Sequence, residues 1–141
     1  MHSFPTPPAA ARLEVLSPGF TKIFLPETPR PFHFFTEPDH GPPHDHNFSF
    51  VSHVLLGGYV EEVFHLHPDG THTVEVVERR PGTSHRVAAG TVHRIIELPA
   101  GHCLTLVEAG PVEQTSGFYD FRPEGIFYRP WHRPDFQPLP L

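Results

Sequence analysis

The sequence predicts an all-β fold, a sandwich or barrel of short strands, and three observations predict it. Nineteen prolines and 11 glycines in 141 residues break the chain too often for helices, because each proline removes a backbone donor and disrupts a helix interior. Thirteen phenylalanines and many valines favour pleated, half-buried surfaces instead. Strand-length runs recur between Gly or Pro signals every ten or so residues, the pattern of small β-sandwiches and barrels.

Taken in order, residues 1–10 form a proline-rich arm. Residues 11–16 and 20–25 read as short strands separated by Ser17-Pro18-Gly19, and 30–36 (RPFHFFT) as a strand with aromatic residues on both faces. A loop over 37–43 delivers the chain to His44. Residues 44–56 are the longest strand-like stretch, ended by Gly57-Gly58. Residues 59–66 return, and Pro68-Asp69-Gly70 is a strong turn signal. Strands follow over 72–78 and 82–87. Gly90 turns the chain into 91–98, and 103–108 alternates cleanly. Short strands are expected at 117–121 and 126–128, and the proline-rich tail, 129–141, is expected to wrap the surface as coil. The barrel is thus expected to hold six to eight antiparallel strands in one domain spanning 1–141, long enough to bury a core but not two.

Composition excludes several functions. Ten basic against 16 acidic residues give a formal charge of −6, which argues against non-specific nucleic-acid binding. The single cysteine, Cys103, rules out an internal disulfide framework and suits a reducing cytosol. No run of 18 apolar residues offers a spanning helix, and the first residues lack a secretory signal. A cytoplasmic protein without membrane or nucleic-acid partners is expected.

The chemistry concentrates in His44-Asp45-His46 and in Ala88-Ala89-Gly90-Thr91-Val92-His93. Side chains alternate along a strand, so histidines at i and i+2 project from one face. A third imidazole arriving from a distant strand would complete a seat for a divalent transition metal with positions left open. With 13 histidines, about one His-x-His pair arises by chance, and the chain has a second, His65-Leu66-His67. That pair lies beside the Pro-Asp-Gly turn and reads as a solvent-facing hairpin. It is the spacing around His93 that lifts the first pair above background.

Gly82, Ala88, Gly90, His93 and Glu97 have the spacing of the second motif of the cupin superfamily, with Ala88 in place of its proline and Glu97 in place of its asparagine. His44, His46 and Gly58 match the first motif, whose glutamate slot falls on Val51 or Phe50. The segment from His44 to Phe64 also resembles the thiol dioxygenase branch typified by cysteine dioxygenase. That branch likewise carries His-Asp-His without the glutamate, and His93-Arg94 matches its His-Arg pair; Ser49, Gly58 and Glu62 also sit at comparable positions. The resemblance implies a double-stranded β-helix, or jelly-roll barrel, and a metal held by His44, His46 and His93, with Fe(II) first and Zn, Ni or Mn as alternatives. It also implies a homodimer, with the aromatic strands 20–25 and 32–35 as the expected contact. The departures matter too. The slots of that branch's Ser-x-His-x-Tyr triad and its crosslink fall on Cys103, Thr105, Val107 and Val51, and no arginine matches its carboxylate anchor. Free cysteine is therefore not the expected substrate.

Around this site, Val51, Cys103 and Thr105 are expected to line the cavity, and His53, sharing parity with Val51, is the candidate general base or a fourth ligand. Glu97 reads as a supporting carboxylate. Nothing near Cys103 lowers its pKa, so it is not read as a nucleophile. Arg94 alternates to the face opposite His93. Tyr59, Tyr119, Trp131 and the phenylalanines read as core. Three functions fit: a non-haem iron dioxygenase acting on a small organic molecule, a Zn, Ni or Mn isomerase or hydrolase, and a non-catalytic cupin that binds a small ligand.

Overall fold

A computed structural model describes residues 11–140; the expected arm over 1–10 lies outside the described residues. Twelve strands and no helix appear among these: β1 (Arg12–Ser17), β2 (Phe20–Phe24), β3 (Phe32–Phe35), β4 (Phe48–Leu56), β5 (Tyr59–Leu66), β6 (His72–Arg79), β7 (Ser84–Val87), β8 (Val92–Glu97), β9 (Cys103–Val112), β10 (Gly117–Arg122), β11 (Gly125–Pro130) and β12 (Gln137–Pro138). Every paired strand is antiparallel to its neighbour. The fold class is the expected one: an all-β, double-sheet antiparallel architecture.

One wall is a six-stranded sheet in the order β1-β2-β3-β9-β4-β7. The other is built from β6-β5-β8 and β10-β11-β12. His44 joins these two pieces, making antiparallel bridges to both His93 of β8 and Phe118 of β10. Its N–H and C=O bond the C=O and N–H of His93 at 3.0 and 2.9 Å. The long strand expected over 44–56 is therefore split. His44 belongs to the second wall, residues 45–47 cross the corner, and the strand proper begins at Phe48 in the first wall.

The turn from β4 to β5 requires glycine. Gly57 and Gly58 both hold positive φ, 80° and 77°, and a Cβ at Gly57 would fall 2.0 Å from the carbonyl oxygen of His102. An L side chain fits neither the backbone angle nor the space.

Two apolar clusters hold the walls. Phe35, Val54, Tyr59, Ile95 and Cys103 close one end of the interior. Phe64, Val92, Tyr119 and Ile126 form the second. Phe64 and Val92 are a register pair, on the face of β5 and β8 opposite Val63 and His93 by strand alternation. β8 thus serves the cavity with one face and a second core with the other.

Three expectations are corrected. The tail is not all coil: β11 runs to Pro130, and β12 pairs with Phe127 and Tyr128. Leu139 packs on the second cluster, and that apolar anchor is what draws the tail back. The strands expected as a dimer contact are not edges, because β1 covers β2 while β3 is enclosed between β2 and β9. Among the described residues, the edges of that sheet are β1 and β7. Finally, the short strands outnumber the six to eight expected, because loop segments flanking the barrel pair as well. No helix among the described residues is long and apolar enough to cross a membrane.

Candidate metal centre

Three segments bring the histidines together. The corner at 44–46 supplies His44 and His46, two residues apart and so on one side of the backbone. β8 supplies His93, locked in place by its backbone bonds to His44. One ligand-competent atom from each of the three lies within 4.8 Å of the others. The ring centroids are 5.3 Å (His44–His46), 4.9 Å (His44–His93) and 4.8 Å (His46–His93) apart. His46 and His93 turn their Nε2 atoms to each other at 3.4 Å. Two nitrogens each about 2.1 Å from a shared ion sit roughly 3.0–3.4 Å apart in octahedral or tetrahedral arrangements, so the residues fit such an ion.

The rings are held from behind. His93 Nδ1 bonds Glu61 Oε1 at 2.8 Å, which leaves Nε2 as the inward atom. Glu61 is 2% exposed and takes Arg79 Nε on its other oxygen at 2.7 Å. His85 lies 3.9 Å from that same oxygen and bonds the Tyr59 hydroxyl at 2.9 Å. Burial raises the Glu61 carboxyl, but the hydrogen bonds and charges of His93 and Arg79 outweigh it and hold the group below the usual carboxylate range. His44 bonds the carbonyl of Pro42. Asp45, between the two histidines, points the opposite way. It is buried and accepts the Gly117 N–H, the Tyr119 hydroxyl (both 2.8 Å) and Gln114 Nε2 (3.3 Å). These bonds tie the corner to β10 and fix the aim of both flanking imidazoles.

Burial, reinforced by the neighbouring His93, keeps His44 and His46 neutral, with pKa values lowered to about 4 and about 2. Neutral imidazoles are the ligand-competent form.

A cavity of about 270 Å³ opens beside the three histidines. Phe20, Phe35, Phe48, Phe50, Ile95 and Val107 give it apolar walls, and Lys22, His33, Ser52 and Thr105 contribute polar groups. It shares Asp39, His44 and Asp45 with a second hollow of about 480 Å³ that reaches Trp131.

The expected residues divide. Thr105 is buried and lines the cavity. Cys103 has the same inward parity but is fully enclosed in the apolar cluster at the closed end, where burial pushes its thiol up to about 11. Val51 and His53 are corrected: both face outward. His53 bonds Ser84 Oγ and Glu108 Oε1, each at 2.6 Å, and Val51 lines a shallow outer hollow with Arg86 and Glu108. The inward parity set by His44 and His46 continues through Phe48, Phe50 and Ser52, which turns Val51 and His53 to the other face. Glu97 is exposed, at the far end of β8. His65 and His67 bond Glu75 and Thr73 across the hairpin. Arg94 pairs with Glu62 at 2.7 Å. Tyr59 and Tyr119 are core residues as expected, whereas Trp131 is 64% exposed.

Sequence reasoning missed Glu61, Asp45 as an anchor, and the cavity residues Lys22 and His33. The signal for Glu61 was its parity: it alternates with Tyr59 and Val63, both buried.

The half-buried histidines His33 and His85 predict how stability varies with pH in the metal-free chain. His33 and His85 are lowered from 6.5 to about 4, chiefly by burial, with Lys22 and Arg79 adding to the effect. Between pH 6.5 and about 4 the unfolded chain therefore binds more protons than the folded one. Stability falls as pH drops through that window, by up to about 1.4 kcal/mol per pH unit for each histidine. Glu61 continues the trend at lower pH, since a lowered carboxyl loses its contribution on protonation. Thermal unfolding at pH 7.5 and pH 5 should show a lower Tm at pH 5; an equal or higher one contradicts the burial of these groups.

No protein-family model and no curated protein matches the chain. Several solved structures resemble it at low identity. Recombinant oxalate oxidase in complex with glycolate aligns at 15% identity and a TM-score of 0.49, covering 71% of this chain and 46% of that one. The DMSP lyase DddQ from Ruegeria pomeroyi aligns at 17% and 0.42, covering 71% and 43%. The polyketide cyclase RemF from Streptomyces resistomycificus aligns at 21% and 0.43, covering 80% and 85%. This chain spans less than half the length of the oxalate oxidase chain.

Proposed function

We propose that the chain is a single-domain cupin that holds one divalent transition metal, Fe(II) first, on His44, His46 and His93, and that it is a non-haem iron dioxygenase acting on a small organic molecule other than free cysteine. One observation carries the reading: three neutral imidazoles converge within 4.8 Å beside an apolar cavity, and one of them is held by a buried carboxylate. An ion held by His44, His46 and His93 would supply redox and Lewis-acid chemistry to a substrate and O₂ in the adjoining cavity.

The chain's own residues do the rest. Glu61 keeps the proton of His93 on Nδ1. Asp45 and its three donors hold the corner rigid. Phe20, Phe35, Phe48 and Phe50 exclude water from the reacting groups. The same apolar walls disfavour a small zwitterion, whose two charges both lose hydration on entry.

The test is oxygen uptake by Fe(II)-loaded protein against small thiols, enols and carboxylates. Uptake with one of these classes, and none with free cysteine, is expected. Turnover of free cysteine at enzyme-like rates, about 1–10³ per second, contradicts the substrate reading. Protein that retains Zn(II) in place of iron and is inert to O₂ with every class contradicts the dioxygenase reading.

A further inference from the structure

Lys22 is the chain's one lysine, and it stands in the wall of the metal-side cavity. It sits on β2 two residues from Phe20, which lines the same space. Strand register aligns it with His33 on β3, and His33 with Thr105 on β9. The three make a polar stripe across an otherwise aromatic wall. No hydrogen bond or ion pair engages the Lys22 ammonium among the described residues. Its register neighbour on β1, Glu14, is paired instead with Arg12 at 3.6 Å. Among the described residues this half-buried cation has no counter-charge of its own, so its place is open to one carried by a ligand.

We propose that Lys22, flanked by His33 and Thr105, anchors the carboxylate of the substrate, so that the site takes a small monocarboxylate with an apolar body. The proposal rests on reading this cavity as the substrate site. The anion meets Lys22, the hydrocarbon lies among Phe20, Phe35, Phe50 and Val107, and the end remote from the carboxylate faces the three histidines. Lys22 sets specificity here by charge pairing, which favours an acid over its neutral isostere.

The experiment titrates 3-phenylpropionate and its neutral amide, 3-phenylpropionamide, into Zn(II)-loaded and metal-free protein by calorimetry, with Lys22→Met and Lys22→Arg alongside and metal content measured for each. The wild type should bind the acid about 10- to 100-fold more tightly than the amide, the worth of a charge-assisted hydrogen bond. Lys22→Met should lose that preference while keeping amide affinity and metal content, and Lys22→Arg should keep most of the preference. A wild type that binds the acid no better than the amide, including one that binds neither, overturns the proposal. So does a Lys22→Met protein whose preference survives, which would place the carboxylate on the metal. Failure of the metal reading shows separately, as wild-type protein that binds no Zn(II), and the metal-free titration still reports on Lys22. Should Lys22→Met not fold, acetylation of Lys22 in the wild type, read by mass spectrometry, must slow with saturating acid and not with amide; equal rates overturn the proposal.

Discussion

Replacing His93 with alanine is expected to lower affinity for a divalent metal by more than about 100-fold, beyond the 10- to 100-fold typical of changes behind a ligand. His44→Ala and His46→Ala should do the same. His65→Ala and His67→Ala should bind metal like the wild type, because those rings bond Glu75 and Thr73 on an outer hairpin. His93→Ala carries a second cost. It strips Glu61 of a 2.8 Å hydrogen bond in a site that is 2% exposed, and such a loss is worth about 1–3 kcal/mol of stability. Competition against a chelator of known affinity, together with denaturant unfolding, reads both effects. Equal metal loss in all five variants contradicts the assignment.

Glu61→Ala should be the most destabilising substitution at the site. Glu61 joins β5 to β6 through Arg79 and to β8 through His93. Removing one partner of a buried ion pair costs about 3–5 kcal/mol, and the low end applies here because the remaining Arg79 side chain is 25% exposed and water screens part of its charge. Glu61→Gln keeps the shape but not the charge. It should fold, and should lose metal affinity by about 10- to 100-fold, because the amide has one acceptor oxygen for the two donors His93 and Arg79 and no charge to hold the imidazole with. Urea unfolding of the alanine variant and metal titration of the glutamine variant test the two parts. A glutamine variant with wild-type metal affinity contradicts the role of Glu61 behind His93.

The sequence made the β-class legible through its punctuation, and it made the three histidines legible through their spacing. Both signals are local or nearly so. What it concealed depends on how strands cross. His44 looked like the start of a long strand, yet its backbone is used by β8 and β10, a pairing that no local pattern announces. Val51 and His53 were placed inward by counting to a motif slot, whereas the period of two running from His44 through Ser52 places them outward. That alternation was available in the sequence and is the stronger physical rule. Glu61 was readable as a carboxylate at an apolar parity, although its adjacency to Glu62 masked it. Lys22 was unreadable as a cavity group, because only the register of β2 with β3 and β9 brings it beside His33 and Thr105.

The central claim is that this barrel exists around a metal seat made of His44, His46 and His93. X-ray absorption on purified protein loaded with one equivalent of Fe(II) tests it most directly. The account predicts saturation at one ion per chain and a first coordination sphere whose outer scattering is that of three imidazoles, reduced to two in His93→Ala. Folded protein that binds no ion at that stoichiometry, or a coordination sphere unchanged by His93→Ala, would contradict it.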